Sequence, residues 1–380
     1  MHATNMAERN RSELLRLCHS GLDSRTLRIE VFDRLQRAVP YAAFWCGTTD
    51  PETLLFTGAV MEGIEHAAIP AFVNNELLGN DANMFSELAK RKVPVSTLYT
   101  ATRGELRRSP RFREILEPKG MGNELRAALR AGTSVWGAVC LHRELHAPDF
   151  SPAEVAFVSE IAPHLAAGLR AAALLDAAEG DSVTVAPASG SPGLLTLTDD
   201  LCIAALTPAA EWWLAEISDW PRGGKLPQAI YAVASKLQVI ERQPQTPAGM
   251  MPHARVRTRG GQWLALHASR LAGAGYAGQI AVILEPARPA DIASLILLAY
   301  ALTEREAQVA QLVLKGSSTE GIASALTIAE LTVQQHLKAI FDKVGVRSRR
   351  ELVAQIFAQH YWPHLASDMN VAADAWSPKD

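Results

Sequence analysis

Between residues 303 and 351 the chain repeats one local pattern three times: a hydroxyl side chain, a glutamate three positions later, then apolar residues at intervals of three and four. The pairs are Thr303 with Glu306, Ser317 with Glu320 and Ser348 with Glu351. Such a pair satisfies amides that a helix leaves unpartnered at its start, because the hydroxyl accepts from the third amide and the carboxylate from the cap amide. Helix starts this close together allow only short helices, which must bury their stripes against one another. Behind the first cap lie Val309, Leu312 and Val313, closed by Gly316, a residue that takes positive φ without strain. Behind the second lie Ile322, Ala323 and Leu326. A turn at 327–329 leads into a longer helix with Val333, Leu337, Ile340, Phe341 and Val344 on its inner face and Gly345 as its stop. Leu352, Val353, Ile356 and Phe357 supply the fourth stripe.

A short helix, a tight turn and a longer helix with a polar outer face form a helix-turn-helix, whose second helix can enter the major groove of DNA. Thr332, Gln334, Gln335 and Lys338 stand opposite the apolar stripe, and their amide and ammonium groups suit base edges and phosphates. Lys338, Lys343, Arg347, Arg349 and Arg350 face only Asp342 over that stretch, so this end of the module is basic. The competing explanation is an ordinary solvated helix face. With a formal net charge of −3, any nucleic-acid contact has to come from such a local patch.

Leu302-Thr303-x-Arg305-Glu306, Gly316, Ile322-Ala323-x-x-Leu326, Thr332-Val333-x-x-His336 and Lys343-Val344-Gly345-Val346 follow in the order and spacing of the LuxR-type C-terminal domain, which this segment resembles. The resemblance implies a tetrahelical domain over residues 295–360 that binds double-stranded DNA, usually as a homodimer, with its third helix in the major groove. It puts Thr332, Val333, Gln334, Gln335 and His336 in the recognition helix and makes Lys338, Lys343 and Arg347 candidate phosphate contacts. His336 is equally compatible with a packed, hydrogen-bonded histidine. Two positions depart from the family pattern: Gly321 replaces a glutamate, and Ala329 replaces the serine cap of the recognition helix. Losing such a cap costs about 0.5–2 kcal/mol.

Upstream, small and polar residues over 179–192 and the EPARPAD run at 285–291 mark two junctions, giving pieces at 1–178 and 190–288 before the helical module. The first piece predicts strands at 42–48, 54–58, 124–131 and 134–143, with helices between them. Ser151-Pro152-Ala153-Glu154 opens a closing helix that Pro163 should kink or restart. Its stripe of Leu165, Leu169, Ala172 and Leu175 packs either on its own domain or on a second copy. With Glu124-Leu125-Arg126 and Trp136-Gly137-Ala138-Val139-Cys140-Leu141 in place, this piece resembles a GAF domain. That resemblance implies a small-molecule ligand held on the sheet, with Phe44, Trp45, Cys46 and Trp136 as candidate pocket residues against a reading as plain core. The middle piece predicts strands at 194–198, 201–205 and 278–284, and a hairpin of 255–259 and 262–268 whose Gly260-Gly261 suits a tight primed turn. It resembles a PAS-like fold. Trp212, Trp213 and Trp220 are its pocket, dimer-surface or core residues.

The expected architecture is therefore an α+β multidomain chain, two antiparallel-sheet domains followed by an all-α helix-turn-helix. Cys18, Cys46, Cys140 and Cys202 are too scattered for a zinc or disulfide framework, which fits a cytoplasmic protein, and no apolar run is long enough to span a membrane. His142 and His146 flank Glu144 on a strand end, where that spacing does not converge on a metal. Phosphate-loop, nucleophile-elbow and dinucleotide fingerprints are missing, so no catalytic residue, metal or cofactor is assigned. The expected function is a ligand- or partner-sensing transcription regulator; the alternatives are N-terminal domains that serve only dimerisation or protein contacts, and an enzyme with a regulatory tail.

Overall fold

The computed structural model describes residues 2–78, 80–175, 191–217, 226–242, 252–273, 275 and 278–360. The first unit opens with helices α1 (His2–Cys18) and α2 (Ser24–Leu35) and contains strands β1 (Ala43–Thr49), β2 (Phe56–Glu62), β3 (Val95–Thr97), β4 (Met121–Ala131) and β5 (Ser134–Glu144). Helices α3 (Ile69–Leu78), α4 (Phe85–Leu88) and α5 (Leu98–Thr102) lie between β2 and β4, and α6 (Pro152–Ala172) follows β5. The strands pair antiparallel in the order β2-β1-β5-β4-β3. Side chains alternate across the sheet. Phe44, Cys46, Leu125, Leu129, Val139 and Leu141 pack with α1, α2 and α6, whereas Trp45, Ala138 and Cys140 face the opposite way. The strand positions agree with the sequence pattern, except that the short edge strand β3 carries too few residues to show a period.

Strands β6 (Gly193–Leu197), β7 (Ile203–Leu206), β8 (His253–Arg257), β9 (Trp263–Arg270) and β10 (Ile280–Pro286) form a second antiparallel sheet in the equivalent order, β7-β6-β10-β9-β8. Helices α7 (Pro208–Ile217) and α8 (Gln228–Glu241) belong to this unit. Ala229, Ile230, Ala232, Val233, Ala234, Ser235, Leu237 and Val239 of α8 are all buried, more than a surface helix hides. The reason is that α8 packs against both β9 and the α3–β2 side of the first unit, and its small residues permit both approaches. One apolar cluster consequently runs from Trp45 and Phe56 through α8 to Leu195, Leu264 and Val282. The indole Nε1 of Trp45 donates to Gln228 Oε1 across this junction at 3.3 Å. Gly47 makes room for that indole, since a Cβ there would lie 2.3 Å from a Trp45 ring carbon.

Helix α9 (Pro289–Ala299) follows β10 and begins the helical unit: Ile292, Leu295 and Ile296 share a core with the four C-terminal helices and with Trp263 of β9. Position 295 lies inside α9, and the 285–291 run covers the end of β10 and the first turn of α9.

Several local expectations are corrected. Pro163 does not restart α6, which continues through it as one helix; Ile161, Ala162, Leu165 and Ala166 are buried around it, and this packing offsets the cost of an interior proline, about 3 kcal/mol. Leu165 and Leu169 of that stripe pack into the core of their own domain, and Ala172 is buried at the junction cleft between the units. In the β8–β9 hairpin only Gly261 has positive φ, 81°, so the turn is a wider loop closed by Thr258 N donating to Gln262 O at 2.8 Å. Of the three tryptophans, Trp213 is core and donates to Ser191 O at 3.1 Å, Trp212 stacks edge-on against it, and Trp220 lies outside the described residues. Most of the 179–192 linker lies outside them too. No helix among the described residues is long and apolar enough to cross a membrane.

The three bodies meet at Arg255. From β8 its Nε and NH2 groups grip both oxygens of Asp50 at the end of β1, at 2.8 and 2.6 Å, and its NH1 donates to Asp291 O and Ser294 Oγ in α9. Burial alone would raise the Asp50 pKa, but the guanidinium outweighs it and holds the carboxyl below its ordinary value. Stability from this pair is therefore complete above the unfolded carboxyl pKa of about 4 and is lost as pH falls through the lower folded value. Asp50→Asn should lower the stability of the first unfolding transition in urea by about 3 kcal/mol or more, because it strands a buried cation. A loss under about 1 kcal/mol would show that Glu52, 2.9 Å from the same guanidinium, compensates it.

Candidate functional site

Four helices follow α9: α10 (Glu304–Leu314), α11 (Thr319–Leu326), α12 (Glu330–Val344) and α13 (Arg349–His360). The first predicted cap forms as a reciprocal box, with Glu306 N donating to Thr303 Oγ1 at 3.3 Å and Thr303 N to Glu306 Oε2 at 2.7 Å. The second is displaced by one residue: Ser318, not Ser317, caps α11 by accepting from Gly321 N at 3.0 Å. At the third, Ser348 Oγ accepts from Glu351 N at 3.1 Å, but the glutamate reaches Arg347 N instead of the cap amide. Thr327, at φ 55°, makes the turn into α12, whose start at Ala329 has no side-chain cap. Gly316 and Gly345 take the expected positive φ.

Val333, Leu337, Ile340 and Val344 of α12 are buried against Val309, Ile322 and Leu352, whereas Phe341 is half-buried and Val353 exposed. The side chain of Phe357 lies outside the described ones. Val333, one of the five expected recognition-helix residues, is thus a core residue with no free surface. Gln334, Gln335 and Lys338 are exposed on the other side, with Thr332 and His336 half-buried beside them. The pattern does not single out Leu331, which lies off the inner stripe at the start of α12 and is 67% exposed. An apolar residue out of phase with the core stripe is the signal that would have found it.

The five cations of the basic end divide into two kinds. Lys343 Nζ is 2.6 Å from Glu306 Oε2 and also donates to Ala301 O, which ties the end of α12 to the start of α10. Burial would raise the Glu306 pKa, but Lys343 and the Thr303 amide more than offset this and hold it low. Arg349 donates to Ser317 O at 2.8 Å and so pins α13 to the α10–α11 loop. Lys338, Arg347 and Arg350 have exposed side chains without partners among the described residues.

In the first unit the four candidate ligand residues are not brought together. Trp45 lines a cavity under α3, but Phe44 and Cys46 point to the opposite face, where Phe44 stacks on Phe32 at 4.6 Å and burial pushes the Cys46 thiol up to about 12. Trp136 is packed on that same side. The cavity under α3 is nearly filled, with about 30 Å³ open to a water-sized sphere. Glu76 and Arg126, 2.9 Å apart, line it together with Phe85, over whose ring Arg126 lies, and beside it the buried charge continues, with Arg111 3.6 Å from Asp81 and 2.7 Å from Glu124. Glu124 Oε1, Arg126 Nε and His142 Nδ1 have no hydrogen-bond partner among the described residues, the first two lying 3.9 Å apart as an ion pair, and the remaining space fits a bridging water. Glu124, Cys140 and His142 bring three metal-ligand atoms within 4.8 Å of one another. This donor set does not suit a metal ion, because the guanidiniums of Arg111 and Arg126 already neutralise its carboxylate and would repel a further cation. Burial also depresses the His142 pKa to about 4.

Residues 300–356 match the family model for bacterial regulatory proteins of the luxR family, and residues 95–169 match the GAF domain. Over 59 residues the chain is 48% identical to an Aeromonas salmonicida protein described as an HTH-type transcriptional regulator in the exeN 3′ region, covering 16% of this chain and 30% of that one. Over 54 residues it is 41% identical to the HTH-type transcriptional regulator MalT of Yersinia pestis, covering 14% of this chain and 6% of MalT. The match thus spans less than a third of the length of either relative. Among solved structures, a GAF domain/HD domain protein from Geobacter sulfurreducens is 23% identical over 38% of this chain and 91% of that chain, with a TM-score of 0.29. The C-terminal module is accordingly a luxR-type helix-turn-helix domain, and β3 to α6 belong to a GAF domain.

His142 stays neutral in the fold but takes a proton in the unfolded chain, so it should make stability fall as pH drops from about 6.5 to about 4. His142→Gln should flatten that limb in a urea-midpoint titration. An unchanged slope would assign the acid sensitivity to other groups.

Proposed function

We propose that the protein is a DNA-binding transcription regulator acting as a homodimer, with α12 as the helix that enters the major groove and the two sheet units as its control element. The observation that carries this reading is the polar outer face of α12 opposite a fully buried stripe, within the segment that matches the luxR family. Gln334 and Gln335 are placed to address base edges, where an amide pairs with adenine. Thr332 and His336 flank them, and Leu331 offers an apolar contact of the kind thymine methyl groups accept. Lys338 and Arg347 are the phosphate contacts, with Arg350 added to them. Lys343 is reassigned from phosphate contact to internal clamp, because its charge already serves Glu306.

A second reading of the N-terminal units has support of its own. The cavity under α3 is nearly closed by aromatic rings and the Glu76–Arg126 ion pair, which favours a packing or dimerisation role for that part of the face over ligand binding there. In this reading the GAF domain and its neighbour set the spacing of two DNA-binding modules, and any effector acts from another surface.

The test is DNA binding by the full chain, on its own promoter and on random fragments, over a salt series. Lys338→Ala and Arg347→Ala should each weaken binding to all sequences and reduce the salt slope by about 1. Gln334→Ala or Gln335→Ala should relax preference at particular positions by about 1–3 kcal/mol. Lys343→Ala should chiefly lower thermal stability. Unchanged affinity and preference in the first four variants would overturn the assigned face.

A further inference from the structure

A roomy opening with apolar and charged walls lies where the three bodies meet. It is a cleft of about 480 Å³ between the start of α2, the ends of β1 and β2, the β8–β9 hairpin and α9. Arg28 is the unusual residue in its wall. The side chain is only 3% exposed, yet its guanidinium donates only to two backbone carbonyls, Ser24 O at 2.9 Å and Cys46 O at 3.0 Å. No carboxylate among the described residues lies within ion-pair distance of it, although its charge helps to hold the Asp23 carboxyl below its ordinary value. The nearest acid on its own helix, Asp23, spends one oxygen capping α2 through the amides of Arg25 and Thr26. Other buried arginines in this protein are matched: Arg111, Arg126 and Arg255 each have an acid within 3 Å. With Asp23 acting on it only through space, a buried guanidinium hydrogen-bonded to carbonyls keeps part of the cost of leaving water, and an anion would relieve it.

Three further features favour an anion with an apolar body. Arg25, on the rim, is exposed and has no side-chain partner among the described residues. Trp136 and Ser24 line the same walls, and the buried indole Nε1 and the hydroxyl Oγ both lack a partner. Leu169, Trp263 and Leu295 supply an apolar surface, one from each body.

We propose that this junction cleft is the effector site, and that it takes a small organic anion whose carboxylate or phosphate group meets Arg28 and Arg25 while a flat apolar portion lies between Trp136 and Trp263. Because the walls come from all three bodies, the ligand's affinity depends on how they are arranged, which is the condition for coupling to another site. Binding in the cleft stands on the geometry alone; its effect on DNA rests on the regulator reading above.

The experiment is isothermal titration calorimetry of the full chain with two probes at fixed ionic strength, benzoate for an aryl carboxylate and inorganic phosphate for the phosphate group. Saturable binding of at least one probe at one per chain is expected, and which probe binds distinguishes the two anion chemistries. Arg28→Met should weaken it at least tenfold. Arg25→Ala, an exposed change that leaves the fold intact, should weaken it several-fold and keeps the test available if Arg28→Met does not fold. No saturable binding of either probe up to about 10 mM, weaker than any useful site on the affinity scale, overturns the proposal, as does unchanged binding in Arg25→Ala together with a folded Arg28→Met. DNA affinity is then measured with and without the bound probe: a shift supports coupling, and no shift overturns the effector role while leaving the binding site in place.

Discussion

The grip of Arg255 on Asp50 decides how the three bodies of this protein can be arranged. A buried ion pair adds little net stability, but breaking it is costly, so it acts more as a constraint on geometry than as a source of stability. Here the same guanidinium also holds the first turn of α9 through Asp291 O and Ser294 Oγ. The end of β1, the edge of the second sheet and the entrance to the helical module are thereby fixed to one planar group, and its fork geometry tolerates little rotation. The apolar continuity through α8 then joins the two sheets, with Trp45 and Gln228 hydrogen-bonded at its edge. A rearrangement of one unit cannot leave the others untouched.

The helical module solves a different problem, which is to keep a small core rigid while presenting charge outward. Its core residues from α9 to α13 form one cluster, and polar staples fix the turns that apolar packing alone would leave loose. Arg305 reaches Leu326 O at the end of α11, Arg349 reaches Ser317 O, and Lys343 reaches Glu306. Glu306 serves twice, as the carboxylate of the α10 cap and as the counter-ion that anchors α12. This double use explains how a helix that starts at the uncapped Ala329 can still be well placed: its far end is held by an ion pair, and Val333, Leu337, Ile340 and Val344 of its inner stripe are buried.

Most of this module was legible in the sequence because helical period, capping residues and stop glycines each carry local information. The displaced cap at Ser318 shows the limit of that information: Ser317 and Ser318 both present a hydroxyl, and the choice between them depends on where the preceding helix ends. The roles of Lys343 and Arg349 were not legible, since a charge on a helix end looks the same whether it faces solvent or a partner brought near by the fold. The same holds for Phe44, Trp45 and Cys46. Their alternation places them on two faces of β1, but which face is open depends on α3 and α8, and α8 comes from another unit. Pro163 in α6 does not end the helix for a related reason, as its local penalty is real but smaller than the packing on either side of it.

The contrast between the filled sheet face and the junction cleft bears on how such a chain could be controlled. A ligand enclosed within one domain must deform that domain before the helical module can respond, and the ion chain from Asp81 to Glu76 resists deformation because each charge has a specific counterpart. A ligand between bodies needs only to favour one arrangement over another. Moving a two-state equilibrium from 1:99 to 99:1 takes a roughly 10⁴-fold difference in affinity between the states. A buried guanidinium contributes to such discrimination, because its interaction with an anion is strong when the cleft is closed around it and screened when the cleft opens to water. Arg28 sits on α2 in the first unit, within the wall that also contains Arg255, so charge neutralisation at one arginine is felt next to the residue that holds the other two bodies in place.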